Sequence, residues 1–365
     1  MKIKDLITEV YVREQVSVRV RRDMPPPPSK VYFTILKIIT DEGIEGFAFG
    51  SEAIAKPAVK AIKPEIIGRD PLDREWIWQR LWYLYDFGRL MSFPLGAISA
   101  VDIALWDIAG KYFQVPVYKL MGAYRDKVPV YGSSWGQHST QDYINEINAC
   151  KEHGISAYKI HPYWRVGDKD IETCREVRKA VGNETILMLD PASHYNREEA
   201  LLVGKELENL NFYWFEEPIP DHDIEGLCML REKLRIPICA TETVPLSMFS
   251  IPQYLTRRAT DIVRCDTWLG GGITPCKKIA DLCNAFGVQC EIHANWFPTC
   301  NIANLHVMGA VKNCEYYEMI WPERRYGLKE YPVFDNEGYI HVPENPGLGI
   351  DIDWETLGKP VETFK

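Results

Sequence analysis

The sequence predicts an α/β fold: a (β/α)7-8 TIM-like barrel with an α+β capping domain formed by the N-terminal region and the C-terminal tail. Three observations predict it. After residue 128, short apolar, β-branched runs alternate with helical stretches, the pattern of βαβ units around a parallel sheet. Eight such runs follow one another over about 200 residues, which suits a closed barrel better than an open sheet. Most of these runs end in polar or charged residues, as strands do when their C-terminal ends converge on one mouth.

The elements follow in chain order. Residues 1–125 read as the capping domain. Residues 31–39 predict a strand, and Asp41-Glu42-Gly43 turns the chain into a second one. The four prolines at 25–28 cannot form a central strand; they suit a stiff surface connector or part of a lid. From 57 to 121 the pattern is helical, with apolar spacing through Ile98, Val101, Ala104, Leu105 and Ile108. Residues 126–322 are assigned to the barrel, with strands at 128–131, 157–161, 186–190, 213–217, 237–242, 261–266, 288–293 and 314–318. Residues 323–365 form a polar segment containing Pro346-Gly347-Leu348-Gly349, expected to pack back on the cap.

Bulk composition narrows the classes. The chain has 365 residues, 46% hydrophobic and 25% charged, enough apolar material for a large core. A formal net charge of −9 and the lack of a Lys/Arg block disfavour nucleic acid and anionic membranes as partners. The first residues lack the apolar run of a signal peptide, and no stretch has the length of a membrane helix. The ten cysteines are scattered and show no CxxC spacing. They are expected to be reduced core residues of a cytoplasmic protein.

The chemistry lies at the strand ends. Asp190, Glu216 and Glu242 end three successive predicted strands and stand 26 residues apart in each step. Three carboxylates aimed at one point repel one another unless they hold protons or share a cation. An all-oxygen set suits Mg²⁺, which makes these the expected metal ligands. The next strand ends carry Asp266 and His293, a base with an orienting carboxylate. Glu318 faces the same cavity; crowded by other acids, it is expected to hold its proton and donate a hydrogen bond. On the second strand Lys159 and His161 share one face by alternation. Lys159 would anchor a substrate carboxylate, and His161 is a candidate second base or acid. His194, in the loop after Asp190, is a candidate acid for a departing hydroxyl, or a solvated loop residue. Trp135, Trp164 and Trp296 follow strand ends and are candidates either for lining the mouth or for packing under the cap.

These residues sit among motifs that resemble the mandelate racemase subgroup of the enolase superfamily over almost the whole chain. The run from Ala100 to Lys111 (AVDIALWDIAGK), then Pro116 and Leu120-Met121-Gly122, is similar to a hallmark of that family's capping domain. So are Phe215-Glu216-Glu217-Pro218, Gly271-Gly272-Ile273-Thr274 and the terminal Pro-Gly-Leu-Gly. The resemblance implies Mg²⁺ on Asp190, Glu216 and Glu242, a His293–Asp266 dyad as general base, and Glu318 as hydrogen-bond donor to the substrate carboxylate. Enolase-superfamily sites pair a Lys or His base with Mg²⁺ in this way. It also implies a cap whose loops, here residues 15–28 and 47–52, close over the barrel and choose the substrate. Relatives are usually homo-oligomers, from dimers to octamers. One departure is plain: racemizing members commonly carry Lys-x-Lys on the second strand, and this chain has Lys159-Ile160-His161.

The expected reaction is Mg²⁺-dependent removal of the proton beside a carboxylate, with dehydration of an aldonic or aldaric sugar acid to a 2-keto-3-deoxy acid. The alternatives are a racemase, epimerase or cycloisomerase acting on a carboxylate, and a non-catalytic carboxylate-binding protein on the same scaffold. A binder needs no base, which argues against the last. An NAD-dependent dehydrogenase is disfavoured because no strand is followed by GxGxxG.

Overall fold

The computed structural model describes residues 1–365 apart from 16–21, 23–24, 88–93, 136, 138, 245–246, 295 and 322–325. Three antiparallel strands open the chain: β1 (Ile3–Glu14), β2 (Lys30–Thr40) and β3 (Glu45–Ser51). The Asp41–Gly43 turn joins the last two as expected, with Gly43 at φ 82°. No strand was expected at β1, because Lys4, Asp5, Glu9 and Arg13 break up its apolar run. Its alternation is nevertheless regular: Leu6, Thr8 and Val10 are buried between half-buried Ile7 and Glu9.

The helix Leu95–Phe113 covers this sheet. It approaches so closely at Gly46 that a Cβ there would stand 2.1 Å from the Ala104 carbonyl oxygen. The stretch 57–121 is broken into several helices, chiefly Arg74–Phe87 and Leu95–Phe113, where one helical pattern was expected. Proline accounts for two of the breaks: Pro94 and Pro116 stand at helix N-caps in extended conformation.

Eight parallel strands make the barrel: β4 (Lys127–Ser133), β5 (Ala157–Ile160), β6 (Ile186–Leu189), β7 (Phe215–Glu216), β8 (Ile238–Ala240), β9 (Ile262–Cys265), β10 (Gln289–Ile292) and β11 (Tyr317–Ile320). They pair in the order β10-β9-β8-β7-β6-β5-β4-β11. The seam between β10 and β11 is bridged by side chains rather than a full ladder. The Glu291 carboxylate accepts from the backbone N–H of Glu315 at 2.7 Å and Tyr316 at 3.1 Å, and Glu318 accepts from Ala294 N–H at 3.0 Å. The eighth strand begins three residues later than predicted. Glu318 is therefore its second residue and not its last, which seats that side chain inside the barrel.

The C-terminal segment touches both parts. β12 (Tyr339–His341) pairs with β4, and β13 (Glu362–Phe364) pairs with β1. The family-like motifs are the docking points. Asp102 in the cap helix accepts from Thr274 N–H (2.9 Å) and Oγ1 (2.6 Å) at the start of the barrel helix Ile273–Ala285. A Cβ on Gly272 (φ 119°) would strike the Asp102 carboxylate at 2.3 Å. Asp107 likewise accepts from Leu348 N–H at 2.9 Å and from Lys111 Nζ at 2.7 Å. All ten cysteines are free thiols and nine are buried. Among the described residues no helix is long and apolar enough to cross a membrane.

Candidate active site

The barrel mouth holds a cavity of about 150 Å³ lined by residues from the ends of β4 to β8, β10 and β11. His161, Asp190, Glu242, His293 and Glu318 line it, as does Glu217. Six strand ends therefore deliver titratable groups to one volume, as the register of a parallel barrel requires.

Lys159 forms the floor. Its buried Nζ lies 2.8 Å from Glu216 Oε1, 3.0 Å from Glu318 Oε1 and 3.4 Å from Asp190 Oδ2. Burial and neighbouring Arg264 oppose its charge, but Glu216 and Glu318 outweigh them and hold the amine well above its usual range. Arg264 points inward from β9, as alternation from Asp266 dictates. Its Nε lies 2.9 Å from Glu216 Oε1, and its Nη2 donates to Glu318 and to Tyr131. Between two cations, and despite burial, Glu318 is held well below the usual carboxylate range. Glu318 thus accepts from Lys159, Arg264 and the Ala294 N–H, where a donating carboxyl was expected. The missed signal was Arg264, an arginine in an otherwise apolar strand.

The dyad is assembled on the other side. Asp266 Oδ1 accepts from the backbone N–H of Trp268 and Leu269, each at 2.5 Å, leaving Oδ2 for His293 Nδ1 at 2.8 Å. His293 Nε2 faces the cavity, 3.3 Å from Glu242 Oε1. Burial works against the imidazolium, but Glu242, Asp266 and Glu318 push His293 up to about 9. Opposite in sequence order, His161 Nε2 lies 2.8 Å from Asp190 Oδ2, and its backbone N–H donates to Ser134 Oγ at 2.9 Å.

The acids divide unequally. Asp190 is buried, yet His161 and Lys159 hold it well below the usual range. Glu242 is pushed up to about 7, by burial first and by the charges of Glu216 and Asp190. Glu217 is pushed well above its usual range by burial, then by Glu242, Asp221 and Asp190. Its backbone is left-handed (φ 37°), and one buried carboxylate oxygen has no hydrogen-bond partner. Glu216, expected beside Asp190 and Glu242, is instead fully buried behind the cavity wall, its oxygens taken by Lys159, Arg264 and Trp214 Nε1 (3.0 Å). Among the described residues no three acidic, histidine or cysteine donors are already gathered tightly enough to hold an ion. The chemistry of the donor set nevertheless fits a hard divalent cation: Asp190, Glu217 and Glu242 line one cavity, Glu216 is close enough to raise two of them, and Glu217 carries an orphaned oxygen.

Two expected residues lie elsewhere. His194 is exposed and outside the cavity; its Nδ1 accepts from Arg165 Nη1 at 3.0 Å. The loop turns away after Asp190, where Ala192 and Ser193 both adopt left-handed backbone. Trp135 and Trp296 line the cavity, with ring centroids 4.0 Å apart, whereas Trp164 packs against Tyr163 and Lys169. Of the expected cap loops, 47–52 is largely β3, and Phe49 N–H donates to Thr299 Oγ1 at 2.7 Å on the barrel. Most of 15–28 lies outside the described residues.

Comparison with known proteins bears on this geometry. Residues 142–356 match the model of the enolase C-terminal domain-like family, and residues 15–122 match the mandelate racemase / muconate lactonizing enzyme N-terminal domain. The chain is 31% identical over 328 residues to arabinonate dehydratase of Saccharolobus solfataricus, covering 87% of each chain. It is 35% identical over 280 residues to L-talarate/galactarate dehydratase of Salmonella typhimurium, covering 73% of this chain and 69% of the other. The D-glucarate dehydratase from Agrobacterium tumefaciens, solved in complex with magnesium, superposes with a TM-score of 0.90 at 33% identity, over 99% of this chain and 100% of the other. With both domains matched and the barrel and cap in place, the chain belongs to the mandelate racemase subgroup of the enolase superfamily.

Proposed function

We propose that this chain is a Mg²⁺-dependent hydro-lyase that removes the α-proton of a sugar acid and expels the β-hydroxyl, giving a 2-keto-3-deoxy acid. The observation that carries the reading is the His293–Asp266 pair, 2.8 Å apart, with His293 Nε2 in the same cavity as His161 and above Lys159. The relatives named above are dehydratases of sugar acids, which supports dehydration over other outcomes.

Asp190 and Glu242 are proposed metal ligands, with the third carboxylate supplied by Glu217, which lines the cavity, or by Glu216 once its oxygens leave Lys159, Arg264 and Trp214. When bound, a divalent cation polarises the substrate carboxylate and offsets the charge of these acids. The remaining steps fall to the chain's own groups. Lys159, whose ammonium now lies against Asp190, Glu216 and Glu318, would turn to a carboxylate oxygen of the substrate once the charge of those acids is offset. Asp266 holds the Nδ1 proton of His293; with the charge of Glu242 offset, Nε2 gives up the proton that the surrounding acids hold on it and can take the C2 proton. The C2–H electron pair moves into the carboxylate as an enediolate. It then returns to form the C2–C3 double bond as the C3–O bond breaks, and the hydroxyl leaves as water with a proton from His161 or from His293 itself. The enol product tautomerises to the 2-keto acid.

A second reading, epimerisation or racemisation at C2, is favoured by one observation: His161 and His293 both line the cavity, so two groups can exchange a proton there. One experiment separates the two. The purified protein with Mg²⁺ is screened against aldonic and aldaric acids in D₂O, read by NMR and by a colour reaction for 2-keto acids. A 2-keto-3-deoxy product is expected. Deuterium at C2 without keto acid selects epimerisation, and neither signal across the library contradicts both.

A further inference from the structure

A second, smaller cavity of about 40 Å³ adjoins the one just described and shares Trp135, Trp296, Glu318 and Ile320 with it. It has space for two or three water-sized groups and not for a separate ligand.

Its wall toward the capping domain is Arg13, near the end of β1, with Tyr326 and Tyr331. The guanidinium stands over the Tyr326 ring, 4.4 Å from its centroid, and Nε is buried without a hydrogen-bond partner. Arg13 has no ion pair with any described carboxylate and, unlike Arg125 and Arg178, whose guanidinium groups donate to backbone carbonyls, it lines a cavity. The two tyrosines are already committed: Tyr326 OH donates to the Trp296 carbonyl at 2.8 Å, and Tyr331 OH to that of Tyr326 at 2.6 Å. The chamber thus holds the buried, unpartnered Nε of a fixed cation on a low-dielectric aromatic wall. A buried polar donor without a partner is costly, and a planar guanidinium is matched by a carboxylate.

We infer that Arg13 and the chamber around it form a subsite for a second carboxylate, so that the substrate is a sugar diacid (an aldarate) rather than an aldonate. The inference rests on the proposed function and narrows its substrate class. The reacting carboxylate sits over Lys159, and the distal one closes on Arg13. An aldonate ends in a hydroxymethyl group, which leaves the guanidinium unpaired. Because Arg13 comes from the cap and the acids from the barrel, a diacid also links the two domains.

The test uses galactarate and galactonate with the Mg²⁺-loaded wild type and with Arg13→Gln and Arg13→Lys. Losing a charge-assisted hydrogen-bond pair corresponds to about 10- to 100-fold. We expect wild-type kcat/KM to favour the diacid, that ratio to fall about 10- to 100-fold in Arg13→Gln, and Arg13→Lys to recover part of it. A wild-type preference for the monoacid, or a ratio unchanged by Arg13→Gln, overturns the subsite. Thermal shift by the same two ligands on a His293→Asn background separates this failure from failure of the dehydratase reading. Stabilisation by galactarate that depends on Arg13, without turnover in wild type, keeps the subsite and discards the reaction. Stabilisation indifferent to Arg13 discards the subsite.

Discussion

His161 Nε2 lies 2.8 Å from Oδ2 of Asp190, so the residue that departs from the Lys-x-Lys pattern is hydrogen-bonded to the first carboxylate of the site. A lysine there would bring a fixed charge; a histidine brings a group that titrates nearer neutrality and holds a proton within reach of the cavity. With His194 turned out to solvent, His161 and His293 are the two histidines left to return a proton to the departing hydroxyl.

His161→Gln is therefore expected to lower dehydration by about 10²–10⁴-fold while C2 deuterium exchange, performed by His293, continues. Parallel NMR of exchange and of keto-acid formation in D₂O checks this. Equal loss of both signals would return the acid role to His293 alone.

Asp266→Asn keeps the shape of the dyad but removes the acceptor that fixes the His293 tautomer. A fall of about 10²–10⁴-fold in kcat with little change in KM is expected, measured by steady-state kinetics. A change confined to KM would contradict an orienting role.

Metal binding should depend on pH with a definite sign. Glu242, pushed up to about 7, and Glu217, pushed higher, keep protons that a cation must displace. Below these values the protons compete; above them the acids are ionised and repel one another. The rise in melting temperature caused by Mg²⁺ is accordingly expected to be larger at pH 8 than at pH 6. Calorimetric titration of Glu216→Gln and Glu217→Gln then locates the third ligand, which is the residue whose loss weakens binding more. An affinity that ignores pH between 6 and 8 would contradict the assignment.

His306 predicts acid lability far from the site. It is fully buried, its Nδ1 accepts from Tyr118 N–H at 3.2 Å, and Nε2 lies 3.1 Å from the Leu348 carbonyl. Burial lowers it from 6.5 to about 4. The unfolded chain therefore binds a proton that the native chain refuses. The stability from this group is complete above pH 6.5 and is lost as pH falls toward 4, up to about 3 kcal/mol. Urea unfolding of wild type and His306→Gln at pH 7 and pH 4.5 should show a smaller acid loss in the variant. The same loss in both would assign the lability to other groups.

Much of the architecture was legible in the sequence, because each barrel strand repeats one physical signal: a short β-branched run that ends in a polar residue. The dyad and Lys159 followed from that rhythm. What escaped depended on details finer than a run of residues. Glu318 shifted because β11 starts at Tyr317, so its side chain meets Arg264 and Lys159. Glu216 and Glu217 are adjacent in sequence but face different surroundings once the backbone turns left-handed at 217. His194 was placed by two left-handed residues in its loop, a conformation that Ala192 and Ser193 do not advertise. Arg13 lies on a strand whose charges concealed it, and its meaning appears only where the cap meets the barrel.

The most direct test of the central claim is C2 deuterium exchange into a sugar-acid substrate, followed by NMR with Mg²⁺ in wild type and in His293→Asn. The account predicts exchange in wild type and its loss by at least ~10²-fold in the variant, with the fold and Mg²⁺ binding intact. Exchange that persists in His293→Asn at the wild-type rate would show that another group takes the α-proton, and the dyad as described would not be the base.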